Sequence, residues 1–250
     1  MKLLSIGNSF SQDAQKWLYD VCKSAGKDIY NINLYYGGCS LYAHWRFYEE
    51  DRADYDYEIK GEPARKISLR EALAMEDWDV ITFQQASYES GKYDKYQPFL
   101  CDLYKIVKEA CPNAKFYIHE TWAYESDYDS ELFDFYNRDQ RNMYNLLKDA
   151  YTKAAECIGA DIIPSGDVIQ YLRDNATKFD YKNGGLSLNR DGFHLSLNYG
   201  RYAAALTWYV KLFDGDVNDV DFIPTVDGMT TDKEIIDVIK NAVNTVVKGE

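Results

Sequence analysis

Short apolar runs of strand length alternate with longer segments of helical period along most of this 250-residue chain. That alternation is the signature of parallel β-α-β units. Five runs read as strands buried on both faces: Lys2–Ile6, Ile29–Leu34, Asp79–Phe83, Lys115–His119 and Asp161–Ile163. The helices between them have readable ends. Ser11 is placed to cap Asp13–Ser24, where Trp17, Leu18, Val21 and Cys22 form one stripe and Gly26 stops the helix. Ser68-Leu-Arg-Glu71 is a capping box that opens a short helix before Trp78. The segment 127–158 contains a long helix ended by Gly159, and 197–213 holds another ended by Gly215. From Asp232, residues Ile235, Ile236, Ile239, Val243, Val246 and Val247 share one face, so 232–247 reads as a packed terminal helix. Only 52–66 breaks the pattern; it alternates and turns at Gly61-Glu62-Pro63, as an inserted hairpin or irregular excursion would. With no repeat and no linker-like tract, residues 1–250 read as one α/β domain, a three-layer α/β/α sandwich around about five parallel strands.

In open sheets of this kind, ligands bind outside the carboxyl ends of the strands. Gly7-Asn8-Ser9-Phe10-Ser11 follows the first strand and Tyr36-Gly37-Gly38-Cys39-Ser40 the second. Gln84-Gln85-Ala86-Ser87 follows the third, and Arg190-Asp191-Gly192-Phe193-His194 precedes a late helix. A serine at a helix entrance can act as nucleophile. An Asp three residues from a His can orient one imidazole nitrogen and leave the other free for that serine. Glycine lets backbone N–H groups approach a ligand, and side-chain amides can donate. Each of these alone is commonplace: a serine after a strand is usually a cap, and Gly-Gly is usually a turn. Their placement on four loops of one face gives the pattern its weight.

These blocks resemble the SGNH (GDSL-type) hydrolase superfamily, in family order over roughly residues 2–214. Gly7-Asn8-Ser9-Phe10-Ser11 is similar to its Gly-Asp-Ser-x-Ser block with Asn in place of Asp, and Asp191-Gly192-Phe193-His194 matches its Asp-x-x-His. Gly37-Gly38 falls where the family's oxyanion glycine does. The third block departs: Gln84-Gln85 stands where Gly-x-Asn-Asp is usual, and is closer to the Gln-Gly-Glu of carbohydrate acetylesterase branches. The resemblance implies a flavodoxin-like sandwich and a serine esterase needing no cofactor. It implies Ser9 as nucleophile, His194 as base and Asp191 as its partner. The oxyanion donors would be the N–H groups of Ser9 and Gly38 and the amide of Gln85, with Gln84 the alternative if the strand register slips. Gln84, His119 and Trp122 would line the substrate pocket. The implied substrate is a small-molecule or carbohydrate ester, acetyl foremost. A broad lipase or thioesterase, and a catalytically silent sugar-binding module, are the competing readings.

Charge and cysteine content narrow the classes further. With 28 Lys and Arg against 41 Asp and Glu the net charge is −13, which disfavours phosphate-backbone binding. No apolar run is long enough for a membrane span and no signal peptide is visible, so a cytoplasmic location is expected. Cys22, Cys39, Cys101, Cys111 and Cys157 are odd in number and contain no C-x-x-C pair, as expected of reduced thiols rather than a disulfide framework or zinc site. His44, His119 and His194 are too scattered for metal motifs, and no metal is expected. Asp214–Asp219 begins like a calcium loop but lacks its glycine and its final Glu, and reads as an acidic turn. Cys39 and His44 form a conceivable second nucleophile–base pair, without an orienting acid. Tyr88, Tyr93, Trp122 and Tyr124 fall on strand-end loops and suit either sugar stacking or ordinary packing.

Overall fold

The computed structural model describes residues 1–249. In chain order the elements are β1 (Lys2–Gly7), α1 (Ser9–Gln15), α2 (Leu18–Ser24), β2 (Tyr30–Tyr35), α3 (Leu41–Glu49), β3 (Tyr55–Ile59), β4 (Glu62–Ile67), α4 (Leu69–Met75) and β5 (Val80–Phe83). They continue with α5 (Phe99–Ala110), β6 (Lys115–Glu120), α6 (Gln140–Ile158), β7 (Asp161–Pro164), α7 (Ser165–Asn175), α8 (Tyr199–Phe213) and α9 (Lys233–Lys248). The sheet runs β4-β3-β2-β1-β5-β6-β7. Its five-strand parallel part, β2-β1-β5-β6-β7, has the flavodoxin-like order, with the chain reversing direction across the sheet at the β1/β5 boundary. Helices α1, α2, α7, α8 and α9 pack together on one face, and α3, α4, α5 and α6 on the other.

The sheet has seven strands rather than five. The extra two are the 52–66 excursion, which folds as the antiparallel hairpin β3–β4 against β2. Tyr55 and Tyr57 drive this pairing by burying their rings, at 0% and 2% exposure, on the edge of the core. A second correction concerns 13–24, which falls in two helices, the first capped at Asn8 and the second opening after Trp17, rather than in one capped at Ser11. Trp17 interrupts it: its indole N–H donates to the Leu197 carbonyl at 2.8 Å and its ring packs on Phe222, contacts from the far end of the chain. Helix α8 likewise ends on a left-handed Asp214, one residue before the expected Gly215.

The interface between sheet and α1 is polar although it is buried. Gln15 Nε2 donates to Ser5 Oγ at 2.7 Å, and Thr82 Oγ1 donates to the same oxygen at 2.8 Å. Asn31 Nδ2 donates to Gln15 Oε1, Ser11 Oγ to Asn33 Oδ1, and Asn33 Nδ2 to Glu58. Such a ladder favours one register, because a slip of α1 would leave further buried polar atoms unpaired beside Asn31 Oδ1, which already has no partner. The position of Ser9, the first residue of α1, follows from it.

Candidate active site

Asn8 builds the turn between β1 and α1. Its Oδ1 accepts the Phe10 N–H at 3.0 Å and caps the helix, while Ser11 Oγ receives the Asn8 N–H at 3.1 Å. Ser9 therefore stands at the entrance of α1, where its N–H has no helical acceptor and the helix dipole is positive. Ser9 Oγ lies 2.9 Å from His194 Nε2, and His194 Nδ1 lies 2.8 Å from Asp191 Oδ2. The three residues that sequence spacing put forward thus meet in hydrogen-bonding order. A carboxylate only accepts, so Nδ1 carries the proton and Nε2 is left to accept from Ser9. Partial burial opposes ionisation of Asp191, but hydrogen bonds from the His194 ring and from the His194 and Phe193 N–H groups outweigh it. They hold the carboxyl below its usual range.

The loop carrying Asp191 and His194 is a tight excursion closed by an antiparallel bridge between Asn189 and Leu195. Gly192 is needed at its tip: its φ is +88°, and a Cβ there would fall 2.3 Å from the Tyr128 ring. Two bonds pin the loop from the segment after β6, Glu125 N–H to the Gly192 carbonyl at 2.7 Å and the Trp122 indole to the Phe193 carbonyl at 2.8 Å. The third anchor is Asp13, which sequence reading missed. Its side chain is fully buried and accepts from Arg190 at 2.9 Å, from Arg201 Nε at 2.8 Å and from the Leu195 N–H at 2.7 Å. One carboxylate thus ties the Ser9 helix to the His194 loop and to α8. Nothing in the local sequence flags Asp13, because all its partners lie 177 or more residues away.

Gly38 closes the other side. Its φ of +65° turns the peptide, with open space where a side chain would stand, so backbone conformation rather than crowding selects glycine here. The turn is fixed from three directions. Cys39 N–H donates to the Tyr36 carbonyl at 3.1 Å, Asn8 Nδ2 donates to the Cys39 carbonyl at 3.0 Å, and the Tyr88 hydroxyl donates to the Gly38 carbonyl at 3.3 Å.

The two glutamines do not stand as expected. Gln85 is fully buried; its Oε1 accepts the Leu41 N–H at 2.9 Å and its Nε2 donates to the Lys95 carbonyl at 3.1 Å. It braces the start of α3 and is bonded away from Ser9. Gln84 Nε2 donates to Asn8 Oδ1 at 2.7 Å, and its Oε1 accepts from His119 Nδ1 at 2.7 Å. His119 Nε2 then accepts from Ser165 Oγ at 3.2 Å. Burial pulls His119 down to about 3, so the ring is neutral. The expectation that Gln84, His119 and Trp122 line a pocket is corrected accordingly. They are at most 2% exposed and form the floor on which Asn8 rests, with Trp122 stacked 4.5 Å beneath Phe10. Tyr124 is equally buried, so of the four loop aromatics only Tyr88 and Tyr93 reach the surface.

Cys39 and His44 do meet, Sγ to Nδ1 at 3.4 Å, with the Tyr55 hydroxyl 2.7 Å from the same nitrogen. Burial drives the pair away from nucleophilic chemistry: it raises the Cys39 thiol far above its ordinary range and lowers His44 to about 3. Among the described residues, no three His, Cys, Asp or Glu side chains group as metal ligands, and no helix is long and apolar enough to cross a membrane.

The family model for a domain of unknown function, DUF4886, matches residues 2–246. The chain belongs to the DUF4886 family. A crystal structure of another DUF4886 protein, from Bacteroides uniformis, is 35% identical and superposes with a TM-score of 0.88, covering 100% of this chain and 95% of that one. A candidate SGNH hydrolase from Slackia heliotrinireducens is 20% identical with a TM-score of 0.58, over 85% of this chain and 98% of the other. Axe2, an acetylxylan esterase from Geobacillus stearothermophilus, is 12% identical with a TM-score of 0.55, over 86% and 95% of the two chains. No curated protein sequence matches the chain. This DUF4886 chain therefore has the SGNH hydrolase-like fold.

Proposed function

We propose that the chain is a serine acyl-ester hydrolase acting on small acyl groups, acetyl foremost, carried by carbohydrate. The observation that carries this reading is the hydrogen-bonded series Ser9–His194–Asp191, with 2.9 Å and 2.8 Å links, on a loop pinned from two sides. In the reaction Ser9 Oγ attacks the ester carbonyl while its proton passes to His194 Nε2. Asp191 stabilises the imidazolium without taking its proton. Negative charge develops on the carbonyl oxygen, and in this reading the N–H groups of Ser9 and Gly38 receive it; one such donor is worth about 10²–10³ in turnover. His194 then protonates the departing alcohol, and a water molecule repeats the sequence on the acyl-enzyme. With Gln85 committed to α3, this reading relies on two backbone donors.

The carbohydrate part of the reading draws support from aromatic surface beside Gly38. Tyr36 and Tyr42 are 37% and 47% exposed, Tyr42 packs edge-on against Phe99, and Tyr88 adjoins the Gly38 carbonyl. Amphipathic rings of this kind suit sugar C–H faces. The test is a panel of p-nitrophenyl acetate, butyrate and octanoate with acetylated oligosaccharides, run beside fluorophosphonate labelling. Labelling at Ser9, lost in Ser9→Ala with the thermal midpoint little changed, and preference for acetyl are expected. Labelling that persists in Ser9→Ala would refute the nucleophile, and a preference for octanoate would refute the small-acyl substrate.

A further inference from the structure

Two thiols outside the triad lie against each other. Cys101, in the first turn of α5, and Cys157, in the last turn of α6, bring their sulfurs to 2.7 Å across a sequence gap of 56 residues. A disulfide bond measures about 2.05 Å, so the two sulfurs already stand within an ångström of bonding distance. Cys157 is exposed and Cys101 partly so, whereas Cys22, Cys39 and Cys111 are buried. Gln97 Nε2 donates to Cys157 Sγ at 3.4 Å and anchors that side chain next to Cys101. As neutral groups two thiols are weak donors and acceptors, so little other than bond formation is gained by placing them together at the surface. Partial burial and then the neighbouring Cys157 raise the Cys101 thiol above its ordinary range, and Cys157 is the more exposed of the two, so a reagent in solution meets it first.

We infer that Cys101 and Cys157 are a redox-active dithiol that a low-molecular-weight disulfide, such as oxidised glutathione, converts to an intrachain bond. The Cys157 thiolate attacks one sulfur of the small disulfide. A Cys157–glutathione bond forms, the original S–S bond breaks, and one glutathione thiolate leaves and takes up the proton that Cys157 released. The Cys101 thiolate then attacks Cys157 Sγ and expels the second glutathione, which is protonated in turn. Two protein thiols are oxidised and one glutathione disulfide is reduced to two thiols. The inference does not depend on the proposed esterase reaction.

The experiment treats the native full-length protein with oxidised glutathione, blocks free thiols with iodoacetamide, and maps peptides by mass spectrometry without reduction. The expected result is one cross-linked species joining the Cys101 and Cys157 peptides, two hydrogens lighter than their sum and reversed by dithiothreitol. Cys22, Cys39 and Cys111 should become alkylated only after denaturation. Cys101→Ser, checked for folding by circular dichroism, should stop at the intermediate with one glutathione held on Cys157. The inference is overturned if the wild type retains glutathione on both cysteines, keeps both alkylatable, or cross-links between chains instead.

Discussion

Asn8 grips the Gly38 turn from the Ser9 side: its Nδ2 donates to the Cys39 carbonyl at 3.0 Å while its Oδ1 accepts from Phe10 and Gln84. A carboxylate could keep the cap and the Gln84 bond but could not donate to Cys39. Asn8→Asp should therefore loosen the Gly38 turn and lower kcat by about 10- to 100-fold, less than outright loss of an oxyanion donor. KM for p-nitrophenyl acetate should change little. Steady-state kinetics of the variant decide this, and an unchanged kcat would detach Asn8 from the oxyanion turn.

Asp13 holds the Ser9 helix against the His194 loop from behind. Removing its charge leaves Arg190 and Arg201 facing an uncharged, buried partner, and breaking a buried pair typically costs about 3–5 kcal/mol. Asp13→Asn should lose stability on that scale. Measured where circular dichroism shows the variant still folded, kcat should also fall, with fluorophosphonate labelling of Ser9 slowed in step. Wild-type kcat in a folded Asp13→Asn would show that the His194 loop holds itself.

The pH dependence follows from Asp191. Its carboxyl is held below its ordinary range, so its contribution to stability is present above the unfolded-state value and is lost only as pH falls through the lower folded value. Asp191 therefore keeps its charge, and its bond to His194 Nδ1, until pH falls below the ordinary carboxylate range, so Asp191-linked losses of activity and stability should both be confined to that acid range. Asp191→Asn should cut turnover about 10²–10⁴-fold. Paired kcat/KM and thermal-midpoint profiles test this, with His44→Ala and His119→Ala as controls that should affect stability more than chemistry.

Glu120 titrates the other way. Burial, and next the Asp167 carboxylate, raise it well above the usual carboxylate range, and its Oε1 accepts the Asp167 N–H at 2.8 Å. A carboxyl raised on folding binds its proton more tightly in the native state, so stability should decline as pH rises from the ordinary carboxylate range toward the folded value. Thermal midpoints from pH 5 to 9 should show this decline in the wild type and a flatter profile in Glu120→Gln. Parallel profiles would acquit Glu120.

The parts of the site legible in the sequence were those whose chemistry is local. Asp191 and His194 lie three residues apart and bond to each other, and Ser9 sits in a turn whose Asn and Ser cap it from within the same five residues. The parallel strands were legible because each short run still carries enough apolar residues between its turns, even where Ser5, Asn31, Asn33 and Thr82 interrupt it. Asp13, Trp17 and Gln85 were not, because what each does is decided by partners elsewhere in the chain: Arg201, Leu197 and Lys95. Gln84 and His119 show the same limit. A polar pair at strand ends reads as pocket lining until packing reveals that each satisfies the other.

The separation of 185 residues between Ser9 and His194 has a kinetic consequence. At a synthesis rate of about 5–20 residues per second, Ser9 emerges roughly 10–40 seconds before His194. Throughout that interval Ser9 is an ordinary alcohol. Only when α8 and the loop before it dock on α1 through Asp13 does the hydroxyl gain an acceptor for its proton. Reactivity toward a fluorophosphonate would then report completion of the fold, and chains arrested before residue 194 would remain inert in a lysate full of esters.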